Sequence, residues 1–278
     1  MLIAGTILFA FYLLVAGVMF VYGIPLEFVL LLTLGFVGFQ WKFGKWAALR
    51  SVKAKDVEEA EHPELYRATE RLSRDMNLPM PRLMIAEMGV PNAFAIGRKK
   101  KGTVVVSKEL MQTLNQQELE GVIAHELAHI RNRDVVMMVL GQSIASLVGI
   151  AVYYVMLFRG GGRSMGGFFL AYIGAMLAQM LVIVFVRAIS RYREYVADAD
   201  AARAIGTGEP LARALEKISN TNEQVVKQRK AQGQQGAPFD DNVSALMIFD
   251  PEHGLLRSAF STHPPTEKRI ERLRYGTF

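Results

Sequence analysis

The stretch GVIAHELAHIRNRD, Gly121 to Asp134, places two histidines and a glutamate inside an otherwise amphipathic helical pattern. Residues four apart on an α-helix lie about 40° apart around its axis and one turn apart along it. His125 and His129 can therefore bind one metal ion from the same helix face, and Glu126 can reach a water molecule on that metal. The H-E-x-x-H spacing predicts a hydrolytic metal site with a carboxylate general base.

The residues around the motif are apolar, which predicts that it is held rigidly against a hydrophobic core. A helix start is predicted just upstream, because Asn115 stands three residues before Glu118, the spacing of a capping box. A single histidine on such a face would most often be a buried core residue, but a histidine pair around a glutamate indicates metal chemistry. The apolar residues are Val122, Ile123, Leu127, Ala128 and Ile130.

A zinc hydrolase needs a third protein ligand and an open position for water. The stretch REYVAD offers Glu194 and Asp198, which share one helix face at this spacing. One carboxylate can ligate the metal, while the other can accept the ring N–H of a ligating histidine and so fix its tautomer. The spacing does not rank the two, and an exposed acidic helix face is the alternative.

The stretch STHPPTEKR offers two further candidate site residues. Amide hydrolysis needs a hydrogen-bond donor at the developing oxyanion, and His263 is the best remaining candidate. A simple role as a helix N-cap is the alternative for His263. Arg269 could pair with Asp198 or hold a substrate carbonyl.

Four blocks of the sequence lack charged side chains: residues 1–26, 28–41, 135–158 and 164–186. A helix needs about 20 apolar residues to cross a bilayer, so these blocks predict four spans, although the second needs snorkelling flanks. A cleaved signal peptide is an alternative for the first block, but the block lacks a charged n-region and is too long. For the third and fourth blocks, the alternative is a buried core hairpin of a soluble domain.

Basic residues cluster after the second and fourth blocks, which by the positive-inside rule places the following segments in the cytoplasm. Because the basic residues cluster at the predicted membrane edges, contact with the membrane surface explains the net charge of +6 better than nucleic-acid binding does. The sequence contains no cysteine, which excludes disulfides and cysteine-ligated metals. The predicted organisation is a transmembrane hairpin (1–41), a first catalytic part (42–134), a second hairpin (135–186) and a second catalytic part (187–278).

The predicted cytoplasmic parts combine helices with a small sheet. The runs RLMIAEM, NAFAIG and TVVVS are separated by turn-like residues and predict a small antiparallel sheet. Helices are predicted from Pro63, over SRYREYVADADAARAI as a continuation of the fourth block, over GEPLARALEKISNT and over PPTEKRIERLR. The stretch KQRKAQGQQGAPFDDN, residues 227–242, is predicted to be a loop.

The pieces HELAH, SRYREYVADADAA, PNAFAIG and STHPPTEKRIERL, with the paired hydrophobic segments, resemble the HtpX-type membrane zinc endopeptidases, which are related to the CAAX prenyl endopeptidases. The expected fold is a mostly α integral membrane protein with about four transmembrane helices and a cytoplasmic, zincin-like α+β catalytic domain. The resemblance implies one zinc ion per subunit, held by His125, His129 and Glu194. It further implies that Glu126 is the base, that Asp198 supports a ligand, and that Asn92, Ala93 and Phe94 lie on the substrate-binding strand.

The predicted function is hydrolysis of unfolded or membrane polypeptides at the cytoplasmic face of a prokaryotic inner membrane. The expected partners are polypeptide substrates and the lipid bilayer, without nucleic acid; the sequence does not fix the oligomeric state. A silent scaffold or chaperone and a CAAX-type endopeptidase are the alternatives. A protease acting inside the bilayer is disfavoured, because charged residues surround the motif: Glu118, Glu120, Arg131, Arg133 and Asp134.

Overall fold

The computed structural model describes residues 46–159, 164–232 and 263–276, with isolated positions between 27 and 38. The first two predicted spans and the glycine-rich residues 233–242 of the predicted loop therefore lie outside the continuously described chain. The chain divides into two compact units. We name residues 1–44 and 138–187 the hairpin unit, and residues 45–137 and 188–278 the sheet unit.

The described elements follow one another along the chain without a repeat. The strands are β1 (Lys55–Asp56), β2 (Arg82–Ala86), β3 (Ala93–Ile96) and β4 (Thr103–Ser107). The helices are α1 (Pro63–Asp75), α2 (Lys108–Thr113), α3 (Gln116–Asn132), α4 (Asp134–Arg159), α5 (Met165–Ile205), α6 (Glu209–Ala231) and α7 (Thr266–Tyr275).

The sheet is mixed, so the predicted antiparallel sheet is wrong. The strand order is β1-β2-β4-β3, in which β4 pairs parallel with β2 and antiparallel with β3. After β2 the chain first forms β3, which is not adjacent to β2. The β3–β4 hairpin then places β4 between β2 and β3. Parallel neighbours require such a crossover connection. Among the described residues, β3 is consequently an edge strand.

One hydrophobic core joins this sheet to the helices of the sheet unit. Helix α1 begins with Pro63 in its first turn, where a missing backbone N–H costs nothing, and it buries Leu65 and Leu72. The sheet contributes Val104 and Val106, both fully buried. All five apolar residues predicted to surround the histidine motif are buried in this same cluster. The motif helix is therefore held by core packing from Val122 to Ile130.

Helix α3 starts as predicted and ends in a way that the sequence did not indicate. Its capping box is complete: Glu118 N donates to Asn115 Oδ1 and Asn115 N donates to Glu118 Oε2, each at 2.9 Å. Arg133 adopts a left-handed conformation, with φ 58° and ψ 37°, and ends α3 before α4 begins.

The last helices follow their predictions with one correction. Helix α5 ends at Ile205, next to Gly206, whose φ of 89° suits glycine. Helix α6 continues to Ala231, so the predicted loop is wrong for residues 227–231. The helical pattern persists there because Lys227 pairs with Glu223 one turn earlier, at 3.5 Å, and the first glycine comes only at position 233.

In the described part of the hairpin unit, α4 and α5 are both long and apolar enough to cross a bilayer. Only 17% of the most apolar stretch of each helix is buried, which disfavours the alternative of a soluble core hairpin. The helices pack closely at small residues, since a Cβ on Gly141 would lie 2.9 Å from Val186 Cγ1. Large apolar side chains point outward: Leu140, Ile144, Phe158, Leu177 and Phe185 are all more than half exposed.

Candidate metal centre

Three side chains from two helices converge inside the sheet unit. Helix α3 supplies His125 and His129, whose Nε2 atoms lie 3.0 Å apart. Helix α5 supplies Glu194, with Oε1 3.5 Å from His129 Nε2 and Oε2 3.7 Å from His125 Nε2. One ligand atom from each residue lies within 4.8 Å of the others, a spacing that can hold one metal ion.

The surroundings of this cluster act in opposite directions on its two imidazoles, because burial lowers the pKa of His129 whereas carboxylates raise that of His125. Burial lowers the pKa of His125, but the neighbouring carboxylates of Asp198 and Glu194 outweigh it and raise the pKa to about 9. Burial would raise the pKa of Glu194, yet His263 and His129 hold it well below its ordinary value. The site thus keeps an ionised carboxylate beside two imidazoles, which are ligand types of a metal site.

Each histidine has a carboxylate on the ring nitrogen that faces away from the centre. His125 Nδ1 lies 3.0 Å from Asp198 Oδ1, and His129 Nδ1 lies 2.5 Å from Asp134 Oδ2. A carboxylate at Nδ1 selects the tautomer that leaves Nε2 available for a metal. Once a metal displaces the proton from His125, both Nε2 atoms can present lone pairs to the same point, so the donor set fits a divalent cation.

Arg269 takes the first of the two roles open to it, the pairing with Asp198. Its Nε and Nη2 donate to the two oxygens of Asp198 at 2.9 and 2.7 Å, and Nη1 lies 3.3 Å from Glu194 Oε2. Burial alone would raise the pKa of Asp198, but Arg269 and His125 lower it. Arg269 is 1% exposed, so this bidentate pair is part of the buried framework of the site.

His263 also reaches the cluster. Its Nδ1 lies 3.1 Å from Glu194 Oε2, and its side chain is 22% exposed, against 6% for that of Glu194. The N-cap alternative for His263 is not realised, because Pro265 occupies the N-cap of α7 and no side chain bonds there. Glu126, next to His125 on α3, is buried at 3% exposure.

The three residues predicted to meet the substrate lie at the edge of the sheet. Ala93 and Phe94 belong to β3, where they pair with Val106 and Val105. Asn92 directly precedes the strand and is buried, with its backbone N–H donating to Ser107 Oγ at 3.0 Å. Strand β3 packs against α3, the helix that carries the histidines.

Asp134 is the site residue that sequence reasoning missed. On a continuous helix, a residue five positions after His129 would point to a different face, about 140° away around the axis. The left-handed Arg133 redirects the chain so that the Asp134 carboxylate meets the His129 ring. No local sequence signal indicates that turn, since glycine and asparagine are the usual residues there.

Comparison with known proteins gives a class of protein that agrees with this candidate metal centre. The model of Peptidase family M48 matches residues 59–277. The chain therefore belongs to peptidase family M48. It is a membrane-associated metalloprotease, and the predicted resemblance is confirmed.

Individual relatives carry the resemblance along nearly the whole chain. The Protease HtpX homolog of Halobacterium salinarum is 55% identical, over 99% of this chain and 100% of its own length. The homolog of Thermococcus sibiricus is 38% identical over 91% of this chain and 86% of its own. The crystal structure of S. mikatae Ste24p has a TM-score of 0.60 at 18% identity and shares the fold over 98% of this chain, which spans 62% of that protein.

Proposed function

We propose that this metalloprotease is a zinc endopeptidase that holds one zinc ion per subunit through His125, His129 and Glu194. The observation that supports this assignment best is the convergence of the two Nε2 atoms and the Glu194 carboxylate within 4.8 Å. Two imidazoles and one carboxylate are a ligand set of zinc peptidases, and they leave a position for water. The pattern is H-E-x-x-H with a second motif, E-x-x-x-D, in α5.

In the proposed reaction, the chain supplies a base, a hydrogen-bond donor and a rigid frame. When bound, zinc supplies a Lewis acid that brings the pKa of water toward 7. Glu126 takes a proton from the attacking water, whose oxygen bonds to the scissile carbonyl carbon. His263 donates a hydrogen bond to the developing oxyanion. Glu126 then passes its proton to the leaving amine as the C–N bond breaks.

In this proposal Asp198 acts through His125, and Arg269 acts through Asp198 and through its own contacts of 3.3 Å with Glu194 Oε2 and His125 Nε2. Neither residue touches the substrate. The carboxylate of Asp198 fixes the His125 ring, and the bidentate Arg269 fixes that carboxylate. Such partners typically change metal affinity or activity about 10–100-fold when removed. Both residues are buried, which strengthens the charged contacts between them.

The proposed substrate is an extended polypeptide segment that adds to the edge of β3 beside Asn92, Ala93 and Phe94. The edge position of β3 among the described strands supports this, because a peptide can bind a sheet edge by strand addition. Main-chain pairing is tolerant of sequence, so unfolded or membrane polypeptides are the proposed substrate class. The proposed cellular role is therefore membrane-protein quality control.

We place the site at the cytoplasmic face of a prokaryotic inner membrane, in a chain with four spans. Two apolar helices within the described residues and the basic residues that follow the apolar blocks support this topology. The lipid bilayer and polypeptides are the proposed partners. Nucleic acid is not.

The activity is tested with the purified full chain in detergent. We expect the zinc-loaded protein to cleave unfolded casein, to stop when EDTA removes the metal, and to recover when zinc is restored. A matched assay with a prenylated CAAX peptide separates the two peptidase alternatives. Cleavage of the prenylated peptide without casein cleavage would favour the CAAX-type reading. Bound zinc with no cleavage of either substrate would favour the silent scaffold.

The topology is tested by cysteine labelling, because the chain has no native cysteine. Ser164 and Asp75 are both exposed; Ser164 precedes α5, and Asp75 ends α1. Ser164→Cys should react with an impermeant maleimide added to intact cells, whereas Asp75→Cys should react only after the membrane is opened. The opposite labelling pattern would reverse the proposed orientation.

A further inference from the structure

The carboxylate of Asp134 holds the second histidine in a way that parallels Asp198 at the first. Its Oδ2 lies 2.5 Å from Nδ1 of His129, and the residue is buried at 7% exposure. A charge-assisted contact this short holds the ring, because rotation of the ring would leave Oδ2 of a buried carboxylate without its His129 partner. Each imidazole therefore has a carboxylate oxygen within 3.0 Å of its Nδ1.

Asp134 is in turn held by Arg193, the residue immediately before Glu194. The Arg193 guanidinium pairs with Oδ1 of Asp134, and its Nη2 donates to the backbone oxygen of Asn132 at 2.6 Å. The same arginine thus contacts the last turn of α3 and the first residue of α4, while its own backbone lies beside Glu194 on α5. This arrangement fixes His129 and Glu194 relative to each other through a single side chain.

The backbone at Arg133 is what makes this contact possible. A left-handed conformation at a residue other than glycine costs about 1 kcal/mol or more, and it persists where the surrounding structure holds it. Here it turns Asp134 from the far side of the helix toward the His129 ring, while Asp134 starts α4. The turn therefore ends α3 and also places the Asp134 carboxylate against the His129 ring.

We propose that Asp134 is a positioning residue of the metal centre, which holds the His129 ring with Nε2 toward the metal and is itself held by Arg193. Asp134 touches neither the substrate nor the reacting atoms. Its expected effect is on metal affinity and on the geometry of the metal's ligands, and the proposal rests on the zinc site proposed above.

The test compares Asp134→Asn with Asp200→Asn in the full chain in detergent. Asp200 is a matched control, since it is 6% exposed on α5 and pairs with Arg131 at 2.5 Å, but it contacts no histidine. Zinc affinity is measured by competition with a chelating dye. The visible absorption spectrum of the cobalt-substituted protein reports the ligand geometry, and thermal unfolding of the metal-free protein reports the structural cost.

Asp134→Asn is expected to bind zinc about 10–100-fold more weakly and to shift the cobalt spectrum. Asp200→Asn should keep the original zinc affinity and cobalt spectrum, even if its metal-free form is destabilised as much as that of Asp134→Asn. Original affinity and spectrum in Asp134→Asn would overturn the positioning role, and so would an equal loss of zinc in both variants. His129→Ala separates the two proposals: if it keeps stoichiometric zinc, the zinc site itself is wrong and this inference falls with it.

Discussion

Glu126→Gln is expected to abolish measurable proteolysis while the protein keeps its zinc. Glutamine preserves the shape of the side chain but cannot take a proton from water at neutral pH. A positioned general base typically contributes about 10²–10⁴-fold to the rate, so the loss should approach the limit of detection. Glu126 is absent from the group of residues whose ligand atoms converge, so the metal content should stay the same.

The measurement is a casein cleavage rate beside a zinc determination on the same purified sample. Gln117→Ala is a suitable control, because Gln117 is exposed in the first turn of the same helix and should leave both quantities unchanged. Loss of zinc together with activity would mean that Glu126 is a ligand. Retention of activity would assign the proton transfer to another group.

The part of the site that the sequence predicts best is the part fixed by helix geometry. Residues four apart on a helix share a face whatever the tertiary fold, so His125 with His129, and Glu194 with Asp198, could be paired from spacing alone. The apolar residues around the histidines fixed which face is buried. The structure brings both pairs together with His263 and Arg269 in one cluster.

The features that the sequence did not predict depend on how elements meet. A strand-like run indicates a strand but not its neighbours, and the parallel β2–β4 pair arises from the path of the chain between them. Asp134 lies outside any helical face shared with His129, and only the left-handed Arg133 brings it there. The same limit explains why spacing could not rank Glu194 against Asp198.

Glu194→Ala is expected to be both zinc-free and inactive, whereas Asp198→Asn should still bind zinc, though more weakly. Oxygens of Glu194 lie 3.5 and 3.7 Å from the Nε2 atoms of the two histidines, at the centre of the cluster. Asp198 instead faces Nδ1 of His125, on the outer side of the ring. Removing a ligand should strip the metal, while removing a supporting carboxylate typically costs about 10–100-fold in affinity or activity.

The structure also predicts that Asp198→Asn lowers the free energy of unfolding. Asp198→Asn leaves the buried Arg269 with a neutral amide in place of the Asp198 carboxylate, while Glu194 stays 3.3 Å away as a charged partner. Breaking a buried pair costs about 3–5 kcal/mol when one charge is removed outright. The isosteric amide keeps one acceptor oxygen, so the loss of unfolding free energy should fall below that range.

Metal analysis of the two variants, purified in parallel at equal zinc, decides between the roles. Excess zinc should partly restore Asp198→Asn, because a weakened site fills again by mass action. It should not restore activity to Glu194→Ala, whose cluster lacks a third donor. Stoichiometric zinc in Glu194→Ala together with zinc loss in Asp198→Asn would exchange the two assignments, and the metal would then lie one helical turn further along α5.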